Sequence, residues 1–422
     1  MIREFSGQAV VFGTQLEMGA AKKLRVIGQI FIEFSIFRVE LRIAYDILTL
    51  STFVFTFRLP WAGHGLSGLV RTKAKSRCMT FHSPTPAQPV VESARDWVKI
   101  LAKYREPNQL RSAYELAVSF VPFVALWALA WWSLSVSVWL ALGISVVNAA
   151  FLLRLFAIQH DCGHGAFFSN RHVSDWVGRI LGVLTLTPYD VWRRTHSIHH
   201  STAGNLEKRG MGDVHTLTVE EFRKLSLFGR IVYRMYRHPV TLFGLGPTYL
   251  FFLQNRIPLG LMSSGWKYWV SAMSTNIAIA AALGLILYLG GFMPLLVVFL
   301  PSTLIAASAG VWLFYVQHQF EETNWDQEDD WQLHDAALNG SSNYDLPPVL
   351  RWFSANIGIH HVHHLYSRIP FYRLTEVLRD HVELAEAKRM TFVESLSCAR
   401  LHLWDEKSRQ LMSFAQARRL YG

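Results

Sequence analysis

Half of the 18 histidines in this chain fall in three tight groups. His160 and His164 sit four apart in HDCGH, His196, His199 and His200 form HSIHH, and His360, His361, His363 and His364 form HHVHH. Spacings of three and four place side chains on one face of a helix, so each group can aim its imidazoles in one direction. Imidazole is a common ligand of zinc, copper, iron and nickel. Eight or nine imidazoles exceed the four that one tetrahedral ion uses. Two ions with several histidines each fit the count. His361 would point about 100° away from His360 on a helix and is left out. Two negatives narrow the chemistry. The zincin pattern HExxH is absent, because Asp161 follows His160. No Glu-x-x-His occurs in the chain, so a carboxylate-rich di-metal bundle has no support.

Such groups need a scaffold, and the composition indicates its kind. Of the 422 residues, 51% are apolar and 17% charged, with 15 Trp and 28 Phe. Soluble domains average about 25% charged. Disorder is excluded by the apolar content. A disulfide scaffold is excluded by only three cysteines, Cys78, Cys162 and Cys398, with no CxxC. A membrane span needs about 20 mostly apolar residues. Four candidates meet this: 116–132, 134–158 (broken only by Arg154), 269–289 and 292–316. Short turns near Ser133 and at Gly290-Gly291 join them as two hairpins. Stretches 176–187 and 240–253 are too short to span and suit interfacial or buried segments. The expected fold is an all-α integral membrane protein. Its four transmembrane helices form two hairpins, and a cytosolic helical cap carries the histidine groups.

Charge orients this arrangement. The net charge is +10. Lys and Arg are absent between Arg111 and Arg154 and again between Lys267 and Arg351, but dense between the hairpins, from Arg193 to Lys267. The positive-inside rule then places the histidine-bearing segments and both termini in the cytosol. Basic residues flanking apolar runs point to a bilayer and not to nucleic acid. Residues 1–78 read differently. Residues 28–56 are apolar but carry Glu33, Arg38, Glu40, Arg42 and Asp46, which makes a span expensive. Met79 opens a polar, Pro-containing stretch and is expected to be the natural start, with 1–78 as upstream sequence. The remaining divisions are 79–110 as a cytosolic segment, 111–380 as the membrane domain and 381–422 as a cytosolic tail. A G-x-G-x-x-G at Gly63, Gly65 and Gly68 opens no clear βαβ helix and is read as chance.

HxxxH, HxxHH and HxxHH, interleaved with two hairpins, resemble the membrane fatty acid desaturase family over about residues 110–380. HDCGH followed by GAFF, and HHVHHL followed by YSRIPFYRL, resemble its bacterial acyl-lipid omega-6 (delta-12) branch. The family's catalytic and metal-binding positions fall on His160, His164, His196, His199, His200, His360, His363 and His364. The resemblance adds His318, in FYVQHQFE just after the fourth span, as a ninth metal ligand, with His334 the weaker competitor. Asp161 could support a ligand from outside, Cys162 reads as a packing residue, and Asn356, one turn before His360, could reach the site.

The resemblance implies two non-haem iron ions, O2 as co-substrate and two electrons per turnover. Dehydrogenating an alkyl chain means breaking unactivated C–H bonds, which no side-chain acid or base achieves, so an oxidising metal centre has to. The implied partners are a lipid acyl chain, the bilayer, and a small ferredoxin-like electron donor with its reductase. The basic stretch 193–237 could receive an acidic donor or anionic headgroups. The implied location is the bacterial inner membrane. A membrane hydroxylase or ketolase acting on a lipid or carotenoid would use the same groups. A metal transporter is a distant third reading, because transport places ligands near the bilayer midplane, between spans.

Overall fold

The computed structural model describes residues 93–422. Met79, residues 1–78 and the Gly63–Gly68 pattern lie outside the described residues.

Among the described residues, four helices are long and apolar enough to cross a membrane: Gln109–Ser133, Val138–His164, Trp266–Gly290 and Phe292–His318. At 1.5 Å per residue each is about 37–40 Å long, more than a hydrocarbon core requires. Their ends follow local chemistry. The Asn108 side chain accepts from the Arg111 amide, and Ser137 accepts from Leu140 after the turn 134–137. Gly165 closes the second helix at φ 67°, a left-handed conformation that favours glycine. Pro301 cannot donate to the helix ladder, and the fourth helix widens into a π turn over Leu295–Phe299 just before it. The second and fourth helices run past their expected ends at 158 and 316. Both extensions contain histidines, which hydropathy alone scores as polar.

Both short apolar stretches fold into short, partly buried elements. Residues 176–187 form the second half of helix Arg171–Leu184 and the turn after it. This helix buries Ser174, Gly178, Leu181 and Gly182 and exposes Val173, Trp176 and Ile180. Gly178 lies against the Tyr189 ring, where a Cβ would approach to 2.2 Å, so the close packing needs glycine. Residues 240–253 hold a π turn, Thr241–Leu245, and helix Gly246–Phe252.

The fold is mostly helical, with a correction to the all-α expectation. Leu217–Thr218 pairs in parallel with Leu403–Asp405, which pairs antiparallel with Gln410–Met412. Asn343–Asp345 pairs in parallel with Arg389–Thr391. Strands of two or three residues are too short to show an alternating pattern in sequence. They also tie residues 381–422 into the structure: Leu403, Trp404 and Leu411 are buried there.

The basic stretch between the second and third long helices is largely used internally. Arg237 is fully buried and donates to Gln319 and to the Leu401 carbonyl. Arg193 pairs with Asp175, Arg209 with Glu221, Lys208 with Glu328 and Lys224 with Glu220. Arg194 and Arg223 are among those left exposed.

Candidate metal centre

Four segments deliver the histidines. His160 and His164 occupy the last turn of the second long helix, and His318 is the last residue of the fourth. His196, His199 and His200 lie on helix Tyr189–Thr202. His360, His363 and His364 lie on helix His360–Leu365, whose first amides, from His360 and His361, donate to the Ser342 carbonyl. The chain enters that last helix through a left-handed turn at Ala355 and Asn356. The Asn356 side-chain Nδ2–H donates to the Phe371 carbonyl and so helps hold this turn.

The side chains converge as two groups. His160, His164, His196, His200 and His363 form one, and His199, His318, His360 and His364 the other. Within each group one nitrogen from every ring lies within 4.8 Å of all the others. Neighbouring Nε2 atoms are closer: 2.9 Å for His160 and His196, 3.1 Å for His196 and His200, and 3.2 Å for His200 and His363. In the second group the Nε2 of His318 lies 3.1 Å from that of His199 and 2.9 Å from that of His360. With metal–imidazole bonds of about 2.1 Å, ligands at right angles stand about 3.0 Å apart. The two groups adjoin, with the His200 and His364 rings stacked at 4.0 Å.

The donor set fits metal ions. The Nε2 atoms of His164 and His364 are buried and have no hydrogen-bond partner among the described residues. Orphaned buried polar atoms are costly and call for an explanation, which a bound ion supplies. Burial, reinforced by neighbouring imidazoles, holds His196, His200, His360, His363 and His364 well below the ordinary histidine range. They are therefore neutral near pH 7, the form that ligates a metal.

A surrounding layer fixes the rings. The His199 Nδ1–H donates to Asp213 Oδ1 at 2.5 Å, and the His318 Nδ1–H donates to the Gly340 carbonyl at 3.2 Å. Asp161 stands 3.4 Å from His160 Nδ1, and its other oxygen accepts from the Phe371 amide at 2.7 Å. Such partners set tautomer and orientation. Asp213 has no signal in the sequence. It lies in a Gly-rich loop beyond the helix, where no periodicity connects it to His199. Asp213→Ala is expected to weaken metal affinity about 10–100-fold. Metal retention during graded chelation would check this; Asp213→Asn, which keeps an acceptor, should lose less.

His361, left out on angle, is turned away: its Nε2–H donates to the Leu384 carbonyl at 2.8 Å, and burial pushes it down to about 4. His334 and the lone histidines among the described residues belong to neither group. Cys162 is fully buried in the main apolar cluster, as a packing residue would be.

The chain is 40% identical over 327 residues to a protein of Bacillus subtilis named "Fatty acid desaturase", covering 78% of this chain and 92% of that one. It is 23% identical over 300 residues to an "sn-1 oleoyl-lipid 12-desaturase" of Anabaena variabilis, covering 66% and 79%. An "sn-1 acyl-lipid omega-3 desaturase (ferredoxin)" of a Synechocystis species is 26% identical over 247 residues, covering 54% and 64%. Residues 137–395, which hold all nine of these histidines, match the sequence model of the family described as Fatty acid desaturase, and the chain belongs to that family.

Proposed function

We propose that the chain is an O2-dependent di-iron desaturase that introduces a cis double bond into a membrane-lipid acyl chain, at the delta-12 (omega-6) position of an oleoyl group. The observation that carries the proposal is the pair of histidine groups, five and four strong, with an orphaned nitrogen in each: His164 Nε2 at the end of the second long helix and His364 Nε2 on a short helix. The delta-12 position is supported by the name of the Anabaena relative. Two iron ions held there supply, with O2, two electrons and two protons, the oxidising power to remove two hydrogens from adjacent methylenes and release two waters. His160, His164, His196, His200 and His363 hold one ion, and His199, His318, His360 and His364 the other. Asp213, Asp161 and the Gly340 carbonyl keep the rings aimed. The apolar helices align the acyl chain beside the groups and exclude water.

In this reading the four long helices cross a bacterial inner membrane as two hairpins, with the histidine-bearing cap and both termini in the cytosol. Electrons arrive there from a small ferredoxin-like donor and its reductase, a partner class named for the Synechocystis relative. The rival within the same chemistry is a hydroxylase or ketolase. A transporter is disfavoured because the histidines lie at the ends of two long helices and on two short helices outside them.

The test is expression in a host lacking polyunsaturated lipid, with His199→Ala beside the wild type, followed by gas chromatography and mass spectrometry of derivatives that locate the double bond. A dienoic product from the wild type alone is expected. Hydroxylated product without a new double bond would refute desaturation, and a new bond at another carbon would refute the delta-12 position. An active His199→Ala variant would refute the ligand assignment.

A further inference from the structure

Three of the site's histidines have an aromatic residue four positions earlier: Phe156 before His160, Trp192 before His196, and Phe314 before His318. That spacing puts ring and imidazole on one helix face. On the second and fourth long helices the aromatic therefore lies one turn, about 6 Å, further into the apolar length than the histidine. The contacts are direct. The Trp192 indole stacks on His196 at 4.7 Å and 16°, and lies 5.7 Å from His160. Phe156 meets Trp192 edge-on at 5.6 Å. Phe314 lies 5.1 Å from His199 and 5.3 Å from His318. Trp192 thus lies against one histidine group and Phe314 against the other.

Phe156, Trp192 and Phe314 keep partly accessible surface, although Leu155, Ala157 and Tyr315 beside them are buried. Gly163 admits the indole, since a Cβ there would come within 2.8 Å of the ring. One turn beyond Phe314 on the same face is Gly310, where a Cβ would meet only Leu153, at 3.6 Å.

We propose that Phe156, Trp192 and Phe314 form an aromatic collar that grips the acyl chain as it passes the two histidine groups, and that Gly310 leaves room for the chain beyond. The collar rests on the desaturase reading and deepens it by naming residues that select the bond. A methylene chain offers no polar group to hold, so its register has to be set by shape. Aromatic side chains are wide, have only two χ angles and bury large apolar area, which makes them stiff walls. Placed against the ligand rings, they also keep water from the reacting carbons.

The test compares Trp192→Ala, Trp192→Phe, Phe314→Ala and Gly310→Leu with the wild type, reading iron per chain and the distribution of double-bond position and acyl length. Iron content should hold in all four. Trp192→Ala and Phe314→Ala should shift the ratio between products about tenfold, the scale on which apolar pockets discriminate. Trp192→Phe should restore the wild-type ratio, and Gly310→Leu should disfavour longer chains. Iron-loaded variants with an unchanged product distribution would overturn the collar. A second readout needs no turnover: a phosphatidylcholine with a mid-chain diazirine, photolysed in membranes holding the wild-type protein. Adducts on Phe156, Trp192 or Phe314 support the collar, and adducts confined elsewhere overturn it. Collar adducts on an iron-loaded wild type that makes no double bond would instead sink the desaturase reading and leave the chain-binding site standing.

Discussion

His318→Ala should abolish product formation and empty one histidine group of iron, while His361→Ala should leave both groups loaded. The contrast is informative because sequence proximity argues the reverse. His361 sits inside the third cluster, and His318 stands alone. His318 closes the fourth long helix with its Nε2 between those of His199 and His360, and it accounts for one of only four imidazoles in its group. Losing a group that merely supports a ligand costs about 10–100-fold in metal affinity or activity, so losing the ligand itself should exceed that range. His361 gives one hydrogen bond to Leu384 in the core. Its removal leaves that carbonyl unpaired, at about 1–3 kcal/mol, which is a loss of stability and not of metal. Iron per chain, product yield and thermal unfolding of both variants check the pair. An active His318→Ala with full iron would contradict the five-and-four division.

Glu115→Ala should be the most destabilising single change within the apolar helices. Glu115 and Arg154 are 2% and 1% exposed, and they pair across the first and second long helices. Arg154 also donates to Ser119 Oγ at 3.0 Å and to the Trp352 carbonyl, and stacks on the Trp352 ring at 3.9 Å. Arg111 adds a second contact to Glu115 at 2.6 Å. Charges in a span are costly and need partners. Removing one member strands the other, at about 3–5 kcal/mol, whereas replacing both with apolar residues of similar volume is often near neutral. Glu115→Ala should therefore unfold at clearly lower temperature in detergent, and Glu115→Leu combined with Arg154→Met should regain most of the loss. Equal stability of Glu115→Ala and wild type would show that the pair contributes nothing.

These two cases show where sequence is informative. Histidines three and four apart share a helix face by geometry, so the three groups were legible, as was the exclusion of His361. The long helices were legible from apolar runs broken only by Arg154. Their last turns were not, because His160, His164 and His318 read as polar to any hydropathy window. Partners brought together only by folding leave no local trace. Asp213 reaches His199 through a glycine-rich loop, and Glu115 meets Arg154 from a different helix. Asn356 illustrates a different limit: one helical turn before His360 is a sound distance only if the chain is helical there, and it turns left-handed instead.

The origin of the nine imidazoles has a further consequence. They come from four segments that span most of the folded chain: the ends of two long helices, one short helix between them and one after them. Ions held this way are cross-links as well as reagents, and ligands that bind only the folded state stabilise it in proportion to the logarithm of their concentration. If iron fills the two groups as proposed, its supply should govern how long the protein survives proteolysis as well as whether it turns over, and a cell short of iron should lose the polypeptide along with its activity.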